Sequence, residues 1–254
     1  MTGTLYLVPN TLDFGVAGDA PPPPLSDDLP LGVVRRAAGL AHWAAENAKT
    51  TRAFLKRVDA VVPLAQPLQS IDIVELPRPQ KGARHASPGA PLDALLGPAL
   101  RGEDMGLISE AGLPAVADPG AALVEAAHRL GIRVVALSGP SSLMLALAAS
   151  GLNGQSFAFV GYLPVDASER AARIRELEAL SRRAGQTQLI IETPYRNEAI
   201  VEALIGTLAP TTRLSVSCGL TLSTGWSRTD TVAKWRASAT PIPKDVPAVF
   251  ALLA

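Results

Sequence analysis

Apolar positions along the chain fall into short runs separated by turn-formers. Thr4 to Val8 (TLYLV) is apolar on consecutive positions, too short for a helix, and is ended by Pro9, so it reads as a buried strand. Asn10 to Pro30 holds four consecutive prolines, Pro21 to Pro24, among small and acidic residues, and is expected as an extended surface excursion. Leu31 to Ala45 looks helical in part. Ala48 to Arg57 forms a second candidate helix, with Lys49, Arg52, Lys56 and Arg57 giving it a basic side, and Ala60 to Val62 is strand-like. Pro77 to Pro91, rich in Pro, Gly, Arg and Lys, reads as a loop. Its Arg78, Lys81, Arg84 and His85 make it a candidate substrate-contacting flap.

The middle of the chain is clearer. Met105 to Ser109 is an apolar strand, followed by the loop EAGLPAVADPG. Asp118 before Pro119 is an acceptor followed by a ring that suits a first helical position, and predicts a helix start. Ala122, Leu123, Ala126, Ala127 and Leu130 then recur at helical spacing until Gly131. Ile132 to Leu137 is a further strand. Ser138-Gly139-Pro140 opens a nearly all-apolar helix that ends by Gly151, which predicts core packing on every side. This β-α-β-α alternation predicts a parallel sheet covered by helices. After a break come a strand at Phe157 to Val160, a turn at Gly161 to Pro164 and an amphipathic helix at Ser168 to Ala184 with Ile174, Leu177 and Leu180 inward. A strand at Thr187 to Glu192, a helix at Tyr195 to Leu208 and strands at Arg213 to Cys218 and Ala248 to Leu253 complete the set. The expected organisation is two α/β domains, 1–125 and 126–254, with no residue-level internal repeat.

Composition narrows the possibilities. The 254 residues are 48% hydrophobic and 18% charged, which excludes a charge-rich disordered chain. A single cysteine, Cys218, excludes an internal disulfide framework and fits a small buried hydrophobe. His42, His85 and His128 are widely spaced, so no metal site is expected. The 23 basic and 23 acidic residues balance, which argues against bulk electrostatic attachment to nucleic acid while leaving room for a local patch. The longest fully apolar stretch, Leu143 to Ala149, is far short of the roughly 18–20 residues that span a bilayer. With no secretory signal pattern at the start, a cytoplasmic protein without membrane attachment is expected.

In open α/β sheets ligands bind beyond the carboxyl ends of strands. Two such loops stand out. Residues 109–120 gather Gly112, Pro114, Pro119 and Gly120 with Glu110 and Asp118, and residues 138–142 (SGPSS) present free backbone N–H groups at a helix start. No G-x-x-x-x-G-K-[ST], no G-x-G-x-x-G after the first strand and no G-x-S-x-G is present. Phosphate-loop, dinucleotide and serine-hydrolase readings lose their main support. A two-lobed α/β protein with a cleft for a small cofactor remains.

The segments GTLYLVP, LISEAGLPAVADPGAALVEAAHRLGIRVVALSGPSSLMLALAASGL and FVGYLP resemble the class III S-adenosylmethionine-dependent methyltransferases, the tetrapyrrole methylase superfamily. Within it, the sequence is most similar to the branch of the small-subunit ribosomal RNA cytidine 2'-O-methyltransferases. The resemblance is dense from about 105 to 165 and thin from 10 to 95. It implies an α/β, tetrapyrrole methylase-like fold of two α/β domains with S-adenosyl-L-methionine held in the cleft between them, and a homodimer. It places Pro9, Ser109, Glu110, Ala111, Gly112, Pro114 and Asp118, then Gly139, Pro140, Ser141 and Ser142, and finally Thr193 and Pro194, on the cofactor side.

The departures lie on the substrate side. The branch continues its first strand as P-T-P-I-G-N-L, where this chain has Pro9-Asn10-Thr11-Leu12-Asp13-Phe14-Gly15. Its A-E-D-T-R is replaced by Ala45-Glu46-Asn47-Ala48-Lys49-Thr50. Glu46 is the first candidate to take the proton of an acceptor hydroxyl, and Lys49 the second, as a base or a phosphate contact. Tyr162 is a candidate to line the cleft. Three readings stand: methylation of ribosomal RNA or the small ribosomal subunit, at a ribose hydroxyl or another RNA site; a tetrapyrrole or other small-molecule methyltransferase; and a cofactor-binding scaffold of the same fold without catalysis.

Overall fold

The computed structural model describes residues 1–13, 23–77, 90–238 and 240–254. Phe14, Gly15, Pro21 and Pro22, and the flap residues Arg78, Lys81, Arg84 and His85, lie outside the described residues. The chain forms two compact units, Met1–Pro140 and Ser141–Ala254. The division falls later than the 125/126 boundary expected from sequence, because the strand that follows residue 130 hydrogen-bonds into the first sheet.

In the first unit the order is β1 (Thr4–Leu7), α1 (Leu25–Asp28), α2 (Leu31–Ala38), β2 (His42–Ala45), α3 (Ala48–Asp59), β3 (Asp72–Glu75), α4 (Ala90–Leu95), α5 (Gly97–Leu100), β4 (Met105–Ile108), α6 (Ala121–Arg129) and β5 (Arg133–Ala136). All pairings are parallel and the strand order is β3-β2-β4-β1-β5. Side chains alternate across the sheet. Val8, Trp43, Ala45 and Ile108 pack with α1, α2 and α3, while Leu5, Ala44, Met105 and Leu107 pack with α4, α5 and α6. The connection leaving β1 therefore covers one face and the connection leaving β4 the other. These two adjacent strands form the switch point at which such sheets bind ligands. Gly106 is required there, because a Cβ would sit 2.7 Å from the Trp43 ring.

Three local expectations are corrected. His42–Ala45 is a strand and not the end of a helix; α2 stops at Ala38, and the alternating Trp43 and Ala44 are shared between the two core layers. Residues 60–62 are a turn closing α3, and the strand lies later, at β3, an edge strand with largely exposed residues. Asp118 does not cap α6: Gly120, at φ 131°, precedes the helix, and Asp118 is held back in the loop.

The second unit holds α7 (Ser142–Ser150), β6 (Phe157–Gly161), α8 (Ala167–Ala184), β7 (Thr187–Glu192), α9 (Asn197–Thr207), β8 (Arg213–Cys218), β9 (Trp226–Thr231), α10 (Val232–Ala237) and β10 (Ala248–Leu253). Its sheet, β6-β7-β10-β8-β9, is mixed: β6 and β7 are parallel and the remaining pairs antiparallel. One face packs Ile190, Val216, Cys218, Phe250 and Leu252 against α8, α9 and α10. The other packs Leu189, Val249, Ala251 and Leu253 against Leu143, Ala146 and Leu147 of α7. Only that stripe of α7 is covered; Met144 and Leu145 remain exposed. Among the described residues no helix is long and apolar enough to cross a membrane.

Candidate functional site

The carboxyl edge of the first sheet is built by four strand exits. Past β1, the chain pairs with the loop after β4: the Asn10 N–H donates to the Gly112 carbonyl at 2.9 Å and the Gly112 N–H returns to Asn10 at 3.2 Å. The buried Asn10 side chain adds a second tie, its Nδ2 donating to the carbonyls of Ser109 (3.2 Å) and Glu110 (2.9 Å). Past β5, Gly139 lies so close to Pro9 that an added Cβ would be 2.2 Å from the proline Cβ. Gly112 in turn faces Pro140, whose carbonyl oxygen lies 3.6 Å from a Cβ built at Gly112. Loops 109–120 and 138–140 thus converge on β1, the strand between their own.

From β2 comes Glu46, whose Oε2 accepts the Glu110 N–H at 3.0 Å, while its own N–H donates to Ile108 O at 3.1 Å. The next residue, Asn47, caps α3 by accepting from the Lys49 and Thr50 amides. Glu46, Glu110 and Asp118 consequently face a common region. Burial, then the neighbouring Glu46 charge, pushes the Glu110 carboxyl up, with Asn47 and Thr50 side chains bonding the other way. Burial, then the charges of Glu46 and Glu110, carries Asp118 up to about 7. The loop itself is tightly wound: Gly112, Ala115, Ala117 and Gly120 all have positive φ, a conformation that alanine adopts only when its surroundings impose it. Ser109 is 1% exposed and its Oγ has no hydrogen-bond partner among the described residues, leaving a buried hydroxyl at the strand exit.

The first unit therefore brings together Pro9, Ser109, Glu110, Ala111, Gly112, Pro114, Asp118, Gly139 and Pro140 with Glu46. Lys49 stands exposed on the first turn of α3, its side chain in no ion pair among the described residues. Ser141, Ser142, Thr193 and Pro194 belong to the second unit. Ser141 precedes α7 without a side-chain cap, and Thr193 follows β7, its N–H and Oγ1 both donating to Glu192 Oε1 at 2.9 and 3.2 Å.

Two residues with central roles lacked a sequence signal. Asn10 stood only as a departure from the branch pattern. Arg57 stood in a basic face, yet its guanidinium turns inward, meeting Asp13 Oδ2 at 3.0 Å, Thr11 Oγ1 at 3.1 Å and Pro23 O at 2.8 Å. The Asp13 side chain is 5% exposed and also accepts from the Thr11 hydroxyl. Asp13 and Arg57 stand 44 positions apart, and nothing in the sequence links them.

Comparison with known proteins fits this arrangement. The profile of the Tetrapyrrole (Corrin/Porphyrin) Methylases matches residues 40–226. The chain belongs to the tetrapyrrole methylase family. Curated relatives include proteins named "Ribosomal RNA small subunit methyltransferase I". The one from Mesorhizobium japonicum is 37% identical over 131 residues, 52% of this chain and 43% of the relative. The one from Halalkalibacterium halodurans is 29% identical over 194 residues, 76% of this chain and 56% of the relative. The match thus spans between about a third and just over half of the length of the curated relatives. Among solved structures, uroporphyrin-III-C-methyltransferase from Thermus thermophilus aligns at a TM-score of 0.53 and 20% identity, covering 100% of this chain and 93% of that one. A putative cobalamin synthesis related protein from Corynebacterium diphtheriae aligns at 0.57 and 15% identity, covering 100% and 99%. Both share the methylase fold.

Proposed function

We propose that the chain is an S-adenosyl-L-methionine-dependent methyltransferase acting on ribosomal RNA at a ribose 2'-hydroxyl. The observation that carries this reading is the convergence of the 109–120 and 138–140 loops on Pro9 and Asn10 at the switch point of the first sheet. The residues fit the donor in three respects. Gly112 and Gly139 bring bare backbone to the strand exits, and the unpartnered Ser109 hydroxyl offers a buried polar contact. Glu46, Glu110 and Asp118 provide negative charge suited to a ligand carrying a sulfonium and an ammonium.

The donor supplies an electrophilic methyl group. The chain's share is to orient and to manage a proton. Pro9, Ser109 to Gly112, Pro114, Gly139 and Pro140, all of the first unit, would line the donor. Glu46 fixes the donor loop through the Glu110 amide with one oxygen, and its other oxygen is the candidate to receive the acceptor's proton. Lys49, exposed on the first turn of α3, is the candidate to meet an RNA phosphate. We propose a homodimer in solution; the exposed Met144 and Leu145 on α7 supply apolar surface for it.

Calorimetry with S-adenosylmethionine and S-adenosylhomocysteine is expected to give one site per chain. Labelled donor with small ribosomal subunits is expected to yield methylated RNA, and Glu46→Gln to abolish it. Absence of donor binding overturns the whole reading, while donor binding with no acceptor favours a non-catalytic scaffold.

A further inference from the structure

Among the described residues, every aromatic side chain that stands exposed lies on one strand of the second unit or just past it and its neighbour. Phe157 and Phe159 on the edge strand β6 are each 39% exposed, Tyr162 beyond β6 is 58% exposed and Tyr195 beyond β7 is 72% exposed. The chain has only three tyrosines, and the remaining one, Tyr6, is covered by the Arg36 guanidinium 4.5 Å above its ring. Because β6 and β7 are parallel, both tyrosine-bearing exits leave the same edge of the sheet.

The backbone that carries these rings is held from below. Arg170 on α8 donates to the carbonyls of Pro164 at 3.3 Å and Val165 at 2.7 Å. Arg196, one residue after Tyr195, reaches Pro164 O at 3.5 Å and so ties the two exits together. Its Nη1 pairs at 3.1 Å with Glu192 Oε2, whose side chain is 1% exposed. Between the exposed Tyr162 and Val165, Leu163 is buried in the core of the unit. Rings fixed on an anchored backbone lose little freedom when something stacks on them.

We propose that Tyr162 and Tyr195 form a stacking surface for unpaired bases of single-stranded RNA, an inference that rests on the RNA acceptor argued above. Stacking on aromatic faces tolerates any base, and guanidinium groups beside such faces favour a polyanion. Among the described residues Arg170 directs its hydrogen bonds to carbonyls and forms no salt bridge. Asp166, whose carboxyl is held below the usual range by the Glu169 and Ser168 bonds and by the Arg170 charge, caps α8 through the Ser168 and Glu169 amides. The unit as a whole carries eleven Lys/Arg against nine Asp/Glu. A second copy of the chain would instead be expected to use the aliphatic face of α7 and the rings of β6.

The test is fluorescence anisotropy with a labelled 12-nucleotide single-stranded RNA of mixed sequence and a duplex of the same length. Tyr162→Ala and Tyr195→Ala should each weaken single-strand binding about tenfold. The phenylalanine variants should bind as the parent does. Alanine variants with parental affinity, a parent that binds the duplex as well as the single strand or binds neither, or a loss that coincides with dimer dissociation in sedimentation, would overturn the proposal. If the tyrosines govern RNA binding but no methyl group is transferred, the stacking surface stands and the methyltransferase reading falls. If RNA is methylated equally by all variants and their affinities match, the reverse holds.

Discussion

Gly139 and Asp118 show how much of the site rests on single atoms. A methyl group at Gly139 would overlap the Pro9 ring, at 2.2 and 2.4 Å from its Cβ and Cγ, and neither backbone can retreat without moving a strand exit. Gly139→Ala is therefore expected to destabilise the protein by about 1–3 kcal/mol in urea unfolding and to weaken donor binding at least tenfold. Asp118 titrates near neutrality, at about 7, from burial and its two anionic neighbours. Its folded value lies above the unfolded one, so it holds a proton in the native state through the window from 3.8 to about 7. Its contribution to stability is largest at the acid end and fades as pH rises across that window. For a cationic ligand the sign reverses: affinity should climb as pH passes from 6 to 8 and Asp118 ionises. Titration calorimetry should show a several-fold rise for S-adenosylmethionine, a smaller one for S-adenosylhomocysteine, and a flat profile in Asp118→Asn.

At the scale of elements, α3 is stapled to the exit of β1. Arg57 meets a nearly buried carboxylate, so truncating it would leave Asp13 without the cation that faces it. Arg57→Met is expected to lose roughly 3 kcal/mol of stability by chemical denaturation, whereas Lys49→Met, on the same helix but exposed, should stay within about 0.5 kcal/mol. The same helix marks the limit of what the sequence conveys. Residues 105 to 151 were readable because apolar runs alternate with glycine and proline at each boundary, and the two loops that meet at β1 lie in that stretch. The strands β2, β3 and β9 were not. Four to six residues with polar or exposed members carry no period, and their strand state comes from neighbours supplied elsewhere in the chain. Asn10 and Arg57 were opaque for a related reason. A lone amide or guanidinium does not announce a partner 46 to 100 residues away.

Across the whole molecule, each unit has its own sheet and its own core layers. Thermal unfolding is expected to depart from a single two-state step, with a calorimetric enthalpy above the van 't Hoff value. Gly106→Ala, which drives a methyl into the Trp43 ring, should lower the transition of the first unit and leave that of the second in place. Differential scanning calorimetry of the two proteins would test this.

The position of β1 also bears on synthesis. It lies in the interior of its sheet, yet both strands that flank it, β4 and β5, come from about a hundred residues or more downstream. A ribosome making this chain thus releases an apolar segment whose partners do not yet exist, and the sheet cannot close until residue 136 has left the exit tunnel. Nascent chains arrested before that point should remain protease-sensitive, and those arrested well beyond it should not.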